Sequence, residues 1–150
     1  MSISIGRRDF MCVSTALIGA GLIPSAFAAG KRGAFDSDNM EAALKAINLS
    51  MPGKSDAIKL QAPEIAENGN SVPIKVSVNV PKAEKLVLII ENNPRPLTSV
   101  IDIHPDVTPY LSTYVRMAET GKVYALAKAG DKWHMAVSQV RVTVGGCAPA

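Results

Sequence analysis

Val72-Pro73-Ile74-Lys75-Val76-Ser77-Val78-Asn79-Val80 sets the fold class. A branched aliphatic residue stands at every even position: Val72, Ile74, Val76, Val78 and Val80 share one face, and Pro73, Lys75, Ser77 and Asn79 share the other. That alternation is the period of a strand with one face buried. β-Branched side chains suit a pleated surface and lose freedom in a helix. Asn68-Gly69, just upstream, reads as a hairpin turn. Downstream, Leu86-Val87-Leu88-Ile89-Ile90 is apolar without interruption. This is the pattern of a strand buried on both faces, although pattern alone leaves a short helix open. A strand of that kind needs cover on each side. The chain by itself is therefore expected to self-associate or to lean on a partner.

Outward from this pair, strand signals recur. Residues 57–61, 98–103, 110–117, 122–127 and 133–144 read as strands. Asn92-Asn93-Pro94-Arg95-Pro96 and His104-Pro105 are loops, and Gly121 and Gly130-Asp131 are turns. The count of about seven short strands favours an all-β, immunoglobulin-like β-sandwich. One short helix precedes it. Asp36-Ser37-Asp38 offers N-caps, Met40, Ala43, Leu44 and Ile47 recur at helical spacing to about Asn48, and Met51-Pro52-Gly53 ends the run.

The composition narrows the function. The chain has 150 residues, 47% hydrophobic and 19% charged, with a formal charge of +3. That is one domain's worth of chain, and too apolar for disorder. So mild a basic excess, spread along the sequence, gives no footprint for nucleic acid. Two cysteines and two histidines leave little for a metal site, and no cofactor is expected.

Residues 1–28 read as a twin-arginine export signal. Arg7-Arg8 precedes Asp9-Phe10-Met11, an apolar stretch spans residues 13–23, and Ala26-Phe27-Ala28 is a cleavage pattern. Gly19 and Gly21 interrupt the stretch, which is short for a membrane span, so no membrane contact is expected after cleavage. Cys12 lacks small residues before it, which argues against a lipid anchor. The expected location is the periplasm, reached by folded export. This route often serves cargo that travels with a partner. The expected body is residues 29–144, and residues 145–150 form a mobile C-terminal arm.

Cleavage removes Cys12 and leaves Cys147 as the one thiol of the exported chain. An odd cysteine in an oxidising compartment suggests an intermolecular bond or a reactive thiol. Val144-Gly145-Gly146-Cys147-Ala148-Pro149-Ala150 places it on a narrow tip, because Gly145 and Gly146 carry no Cβ. No side chain of the tail would lower the thiol pKa, so activation is expected from a partner.

Several stretches resemble the SoxY family, the sulfur-carrier subunits of the periplasmic sulfur-oxidation (Sox) system. They are Ala62-Pro63-Glu64-Ile65-Ala66-Glu67-Asn68-Gly69 with Val72-Pro73-Ile74; Ile90-Glu91-Asn92-Asn93-Pro94-Arg95-Pro96-Leu97; Arg116-Met117-Ala118-Glu119-Thr120; and Val142-Thr143-Val144-Gly145-Gly146-Cys147. With the export signal, the likeness spans nearly the whole chain. The family usually ends in Gly-Gly-Cys-Gly-Gly, and here Ala148-Pro149-Ala150 replaces the last glycines, a stiffer and bulkier tip.

The resemblance implies a carrier that is not an enzyme. Thiosulfate-derived sulfur would be held covalently on Cys147 and presented to Sox enzymes. The partners implied are a SoxZ-like β-sandwich subunit in a heterodimer, a heme-containing sulfur-conjugating enzyme, a thiosulfohydrolase and a sulfane dehydrogenase. Two other readings of the residues stay open. One is an immunoglobulin-like adaptor whose cysteine only forms an intermolecular disulfide. The other is a small thiol enzyme handling persulfides, against which the Gly-Gly spacer counts.

The remaining polar residues read as structural. His104 and His134 lack a third ligand at suitable spacing, so no metal role is assigned. Glu64, Glu67, Glu91, Asp102, Asp106 and Glu119 are scattered between strands and read as a solvated face or as caps. Met40, Met117 and Met135 fit core or interface packing.

Overall fold

The computed structural model describes residues 33–143. The export signal of residues 1–28, Gly145, Gly146 and Cys147 lie outside the described residues. Among the described residues, a helical turn at residues 33–35 and helix α1 (Met40–Ala46) precede eight strands: β1 (Ile58–Gln61), β2 (Ile65–Ala66), β3 (Val72–Val78), β4 (Ala83–Ile90), β5 (Leu97–Asp102), β6 (Tyr110–Val115), β7 (Gly121–Ala129) and β8 (Lys132–Val142). They form two sheets, with strand orders β1-β3-β6 and β2-β8-β7-β4-β5. All pairings are antiparallel except β2 with β8. The result is the expected immunoglobulin-like sandwich.

The alternation in β3 does what its period requires. Val72, Ile74, Val76 and Val78 are buried in the core between the sheets. Facing them are Leu86, Leu88 and Ile90 of β4 and Val123, Ala125 and Ala127 of β7. β4 is central, paired with β5 on one side and β7 on the other. Its odd-numbered residues Val87 and Ile89 point the other way, into a second core with Tyr124 and Leu126.

Ala43 and Leu44 of α1, with Leu49, close that second core. The cover that residues 86–90 demand is therefore supplied by the chain itself. The expectation that this strand needs a partner is corrected on that point. Each aliphatic side chain so buried contributes about 1.5–3 kcal/mol relative to exposure. The helix cap also differs from the expectation. Asn39, and not the Asp36-Ser37-Asp38 stretch, is the N-cap, its side chain accepting from Ala42 N at 2.8 Å. Glu41 in the first turn and Lys45 in the last suit the helix dipole.

Two local readings need correction. Asn68-Gly69 does form a turn: Asn68 Oδ1 accepts from Asn70 N at 2.8 Å. However, the turn is not a hairpin, because β2 before it and β3 after it belong to different sheets. The strand β2 itself has only two residues, too few for any period to show. The Gly130-Asp131 turn is a hairpin, closing the Ala129–Lys132 pair with Gly130 at φ +58°.

Candidate functional site

The stretches singled out in the sequence meet at one end of the sandwich. Asn93, in the loop after β4, reaches the segment after β6. Its Nδ2 donates to Arg116 O at 2.7 Å, and its Oδ1 accepts from Ala118 N at 2.8 Å. One side-chain amide thus replaces a pair of ladder bonds where β6 has stopped. Asn92 Nδ2 donates to Thr120 O at 2.7 Å. Gly121 packs closely against that contact: a Cβ there would lie 3.2 Å from Asn92 Nδ2, and the Asn92 side chain would have to give by a few tenths of an ångström. Met117 N donates to Gly69 O at 2.7 Å, which ties in the turn before β3, and the Met117 side chain is fully buried.

The end of β8 is built into this cluster. β7 starts at Gly121, paired with Val140, so Arg141 and Val142 run beyond it. On one side β2 pairs them, Ile65 with Arg141 and Ala66 with Val142. Arg141 N donates to Glu64 O at 2.8 Å and Thr143 N to Ala66 O at 3.1 Å. On the other side Thr120 takes over. Val142 N donates to Thr120 Oγ1 at 2.9 Å, and Thr120 Oγ1 lies 3.4 Å from Val142 O. Thr143 Oγ1 donates to Glu67 O at 3.0 Å. The chain is thus anchored through Thr143, four residues before Cys147. Full extension carries Cys147 no farther than about 14 Å from that anchor.

Glu91 borders the cluster. It accepts from Tyr124 Oη at 3.2 Å through Oε1 and from Lys122 N at 3.3 Å through Oε2, with Lys122 Nζ 3.6 Å away. Burial of the ring, and then the Glu91 carboxylate beside it, raise the Tyr124 pKa above its ordinary value near 10.0. The other flagged carboxylates have no shared site. Asp102 pairs with Lys85, and Asp106 lies 3.4 Å from His104 Nδ1. His134 Nδ1 is 3.1 Å from Ser55 Oγ. No group of three or more His, Cys, Asp or Glu side chains able to hold a metal occurs among the described residues.

Sequence reasoning marked residues 90–97 and 116–120 as family stretches but gave Asn92, Asn93 and Thr120 no task. Their partners are far along the chain, and no period announces them. An Asn-Asn pair ahead of a proline, with a Thr before a strand-opening Gly, was the available signal.

A search of curated proteins finds no match. The family model of the sulfur oxidation protein SoxY matches residues 43–147. Among solved structures, the sulfur carrier protein SoxY from Chlorobium limicola f thiosulfatophilum is similar. It has 36% identity and a TM-score of 0.62, with 69% of this chain and 96% of that chain covered. The matched stretch holds α1 from Ala43, every strand and the anchored end of β8, and it runs on to Cys147. On this evidence the chain belongs to the SoxY family of sulfur oxidation proteins.

Proposed function

We propose that this protein is a periplasmic sulfur carrier that holds thiosulfate-derived sulfur covalently on Cys147 and presents it to the enzymes of a Sox system. The observation that carries the reading is the SoxY family match, which extends to Cys147. The anchored strand end supports it. A thiol within about 14 Å of a fixed point is confined to a small volume, and this raises its effective concentration at any enzyme docked beside it.

Loading joins the Cys147 thiol to thiosulfate. A sulfur–sulfur bond forms, the thiol proton is released, and two electrons pass to a heme-containing sulfur-conjugating enzyme. The product is a cysteine S-thiosulfonate. A thiosulfohydrolase then adds water across the sulfane–sulfonate bond, releasing sulfate and leaving a persulfide on Cys147. A sulfane dehydrogenase oxidises that sulfur further. Every catalyst in the sequence is a partner, and the carrier supplies attachment and reach. A SoxZ-like β-sandwich subunit completes a heterodimer, and the twin-arginine signal delivers it folded.

The test is Cys147→Ser, assayed in a reconstituted Sox system. Thiosulfate-dependent electron transfer to the heme enzyme stops, because a hydroxyl is a weak nucleophile and forms no persulfide. The fold is retained, with a stability change under about 0.5 kcal/mol, since both cores close within residues 33–143. Undiminished electron transfer in the variant overturns the reading.

A further inference from the structure

We propose that Thr120 is a positioning residue for sulfur transfer: it fixes the point at which the chain leaves the sheet, and hence the reach of Cys147. The inference rests on the carrier reading of Cys147 given above.

The geometry makes Thr120 the last rung of the ladder. β8 outruns β7 by two residues, Arg141 and Val142. An edge left open there would expose the Val142 N–H and C=O on the β7 side. The Thr120 hydroxyl meets both, accepting from Val142 N at 2.9 Å and lying 3.4 Å from Val142 O. A hydroxyl can serve as donor and acceptor together, which a backbone group cannot. Thr120 is in turn held by Asn92 Nδ2 on its carbonyl at 2.7 Å. Across the strand, the Thr143 hydroxyl is held by Glu67 O at 3.0 Å. The two threonines therefore grip consecutive residues from opposite sides.

The mechanical consequence concerns length. With the grip intact, the thiol residue is the fourth beyond the anchor. Without the Thr120 rung, the end of β8 is held on its β2 side alone, by Arg141 N on Glu64 O, Thr143 N on Ala66 O and the Thr143 hydroxyl on Glu67 O, so it opens more often, and in the opened state the anchor retreats toward Val140, the last residue paired with β7. The tether then grows from four residues to about seven, a larger volume to search and a lower effective concentration at a docked enzyme. A change of that kind raises the carrier concentration needed for half-maximal rate. It leaves the rate of the bound complex alone, because the thiol chemistry is untouched.

The experiment compares Thr120→Val, which keeps the shape and removes the hydroxyl, with Thr120→Ser, which restores it. Both are made in the full exported chain with its partner subunit. Amide hydrogen exchange at Val142 and Thr143 reads the grip, and steady-state kinetics with the heme-containing conjugating enzyme read the consequence. In Thr120→Val, exchange at Val142 speeds up by roughly fivefold, as loss of one hydrogen bond of ordinary strength permits. KM for the carrier rises at least about twofold, in line with the longer tether, while kcat holds. Thr120→Ser returns both to wild-type values. Unchanged exchange at Val142 overturns the proposal, and so does faster exchange with an unchanged KM. A loss of kcat that Ser does not rescue marks general destabilisation and also overturns it. Wild-type protein that takes up no sulfur at all removes the carrier reading itself, an outcome distinct from normal wild-type loading with no KM effect.

Discussion

Asn93 and Arg116 are 23 positions apart in sequence and joined by a 2.7 Å hydrogen bond from the Asn93 side-chain amide to the Arg116 carbonyl. The same amide group accepts from Ala118 N at 2.8 Å. A single side chain thus fastens the loop after β4 to the segment after β6, across the two sheets, next to where the carrier's last strand ends. Asn93→Ala removes both bonds and leaves a half-buried N–H of Ala118 without its acceptor. The expected loss is about 1–3 kcal/mol in denaturant unfolding. Asn93→Asp keeps an acceptor for Ala118 N and loses the donor to Arg116 O, so it should fall between. An alanine variant within about 0.5 kcal/mol of wild type would mean that the bridge adds nothing.

Tyr124 provides a pH signature. Its pKa is raised by burial first and by Glu91 second. The folded-state value lies above the unfolded value near 10, so its contribution to stability is full below that pH and is lost as pH rises through the folded value. Tyr110 and Tyr114 are exposed and can be changed to Phe with little effect on the fold. Absorbance titration of that double variant should give a tyrosine midpoint above 10. Adding Glu91→Gln should lower the midpoint without bringing it fully back, since burial remains. A midpoint at or below 10 before Glu91 is changed contradicts the assignment.

Leu44 is the helix residue that tests the internal cover over β4. It is 8% exposed and packs in the core with Val87 and Ile89. Leu44→Ala should cost about 2–5 kcal/mol, as large-to-small changes in a core do. Sedimentation of the same variant should show increased self-association, because the outer face of the five-stranded sheet is less well covered. Wild-type stability and an unchanged sedimentation profile would mean that α1 packs loosely there.

Ser99 should behave in the opposite sense. Its Oγ is buried without a hydrogen-bond partner among the described residues, on β5 opposite Leu88. Burying a hydroxyl in that state is unfavourable, so Ser99→Ala should be neutral or stabilise by up to about 1–2 kcal/mol. Thermal unfolding of the variant checks it, and a fall in Tm would show that the hydroxyl has a partner.

The body of the fold was legible where burial follows a simple period. Residues 72–78 alternate because one face meets the core, and residues 86–90 do not alternate because both faces do. What escaped was set by contacts remote in sequence. β2 exists because two residues pair with the end of β8, and two residues carry no pattern. The cap moved to Asn39 because any of Asp36, Ser37, Asp38 and Asn39 could cap, and packing of Ala43 and Leu44 chose the register. Asn68-Gly69 turned the chain between sheets because the local turn does not dictate which neighbour the next strand joins. For the site, Cys147 and its glycines stood out by composition alone, while the roles of Asn93 and Thr120 required the folded chain.

The most direct measurement of the central claim is intact mass spectrometry, with peptide mapping, of the protein isolated from its host during growth on thiosulfate. The account predicts a population carrying thiosulfonate or persulfide sulfur on Cys147, released by a thiol reductant and absent from Cys147→Ser. A Cys147 found only as a bare thiol or in a protein–protein disulfide, with or without thiosulfate, would contradict it.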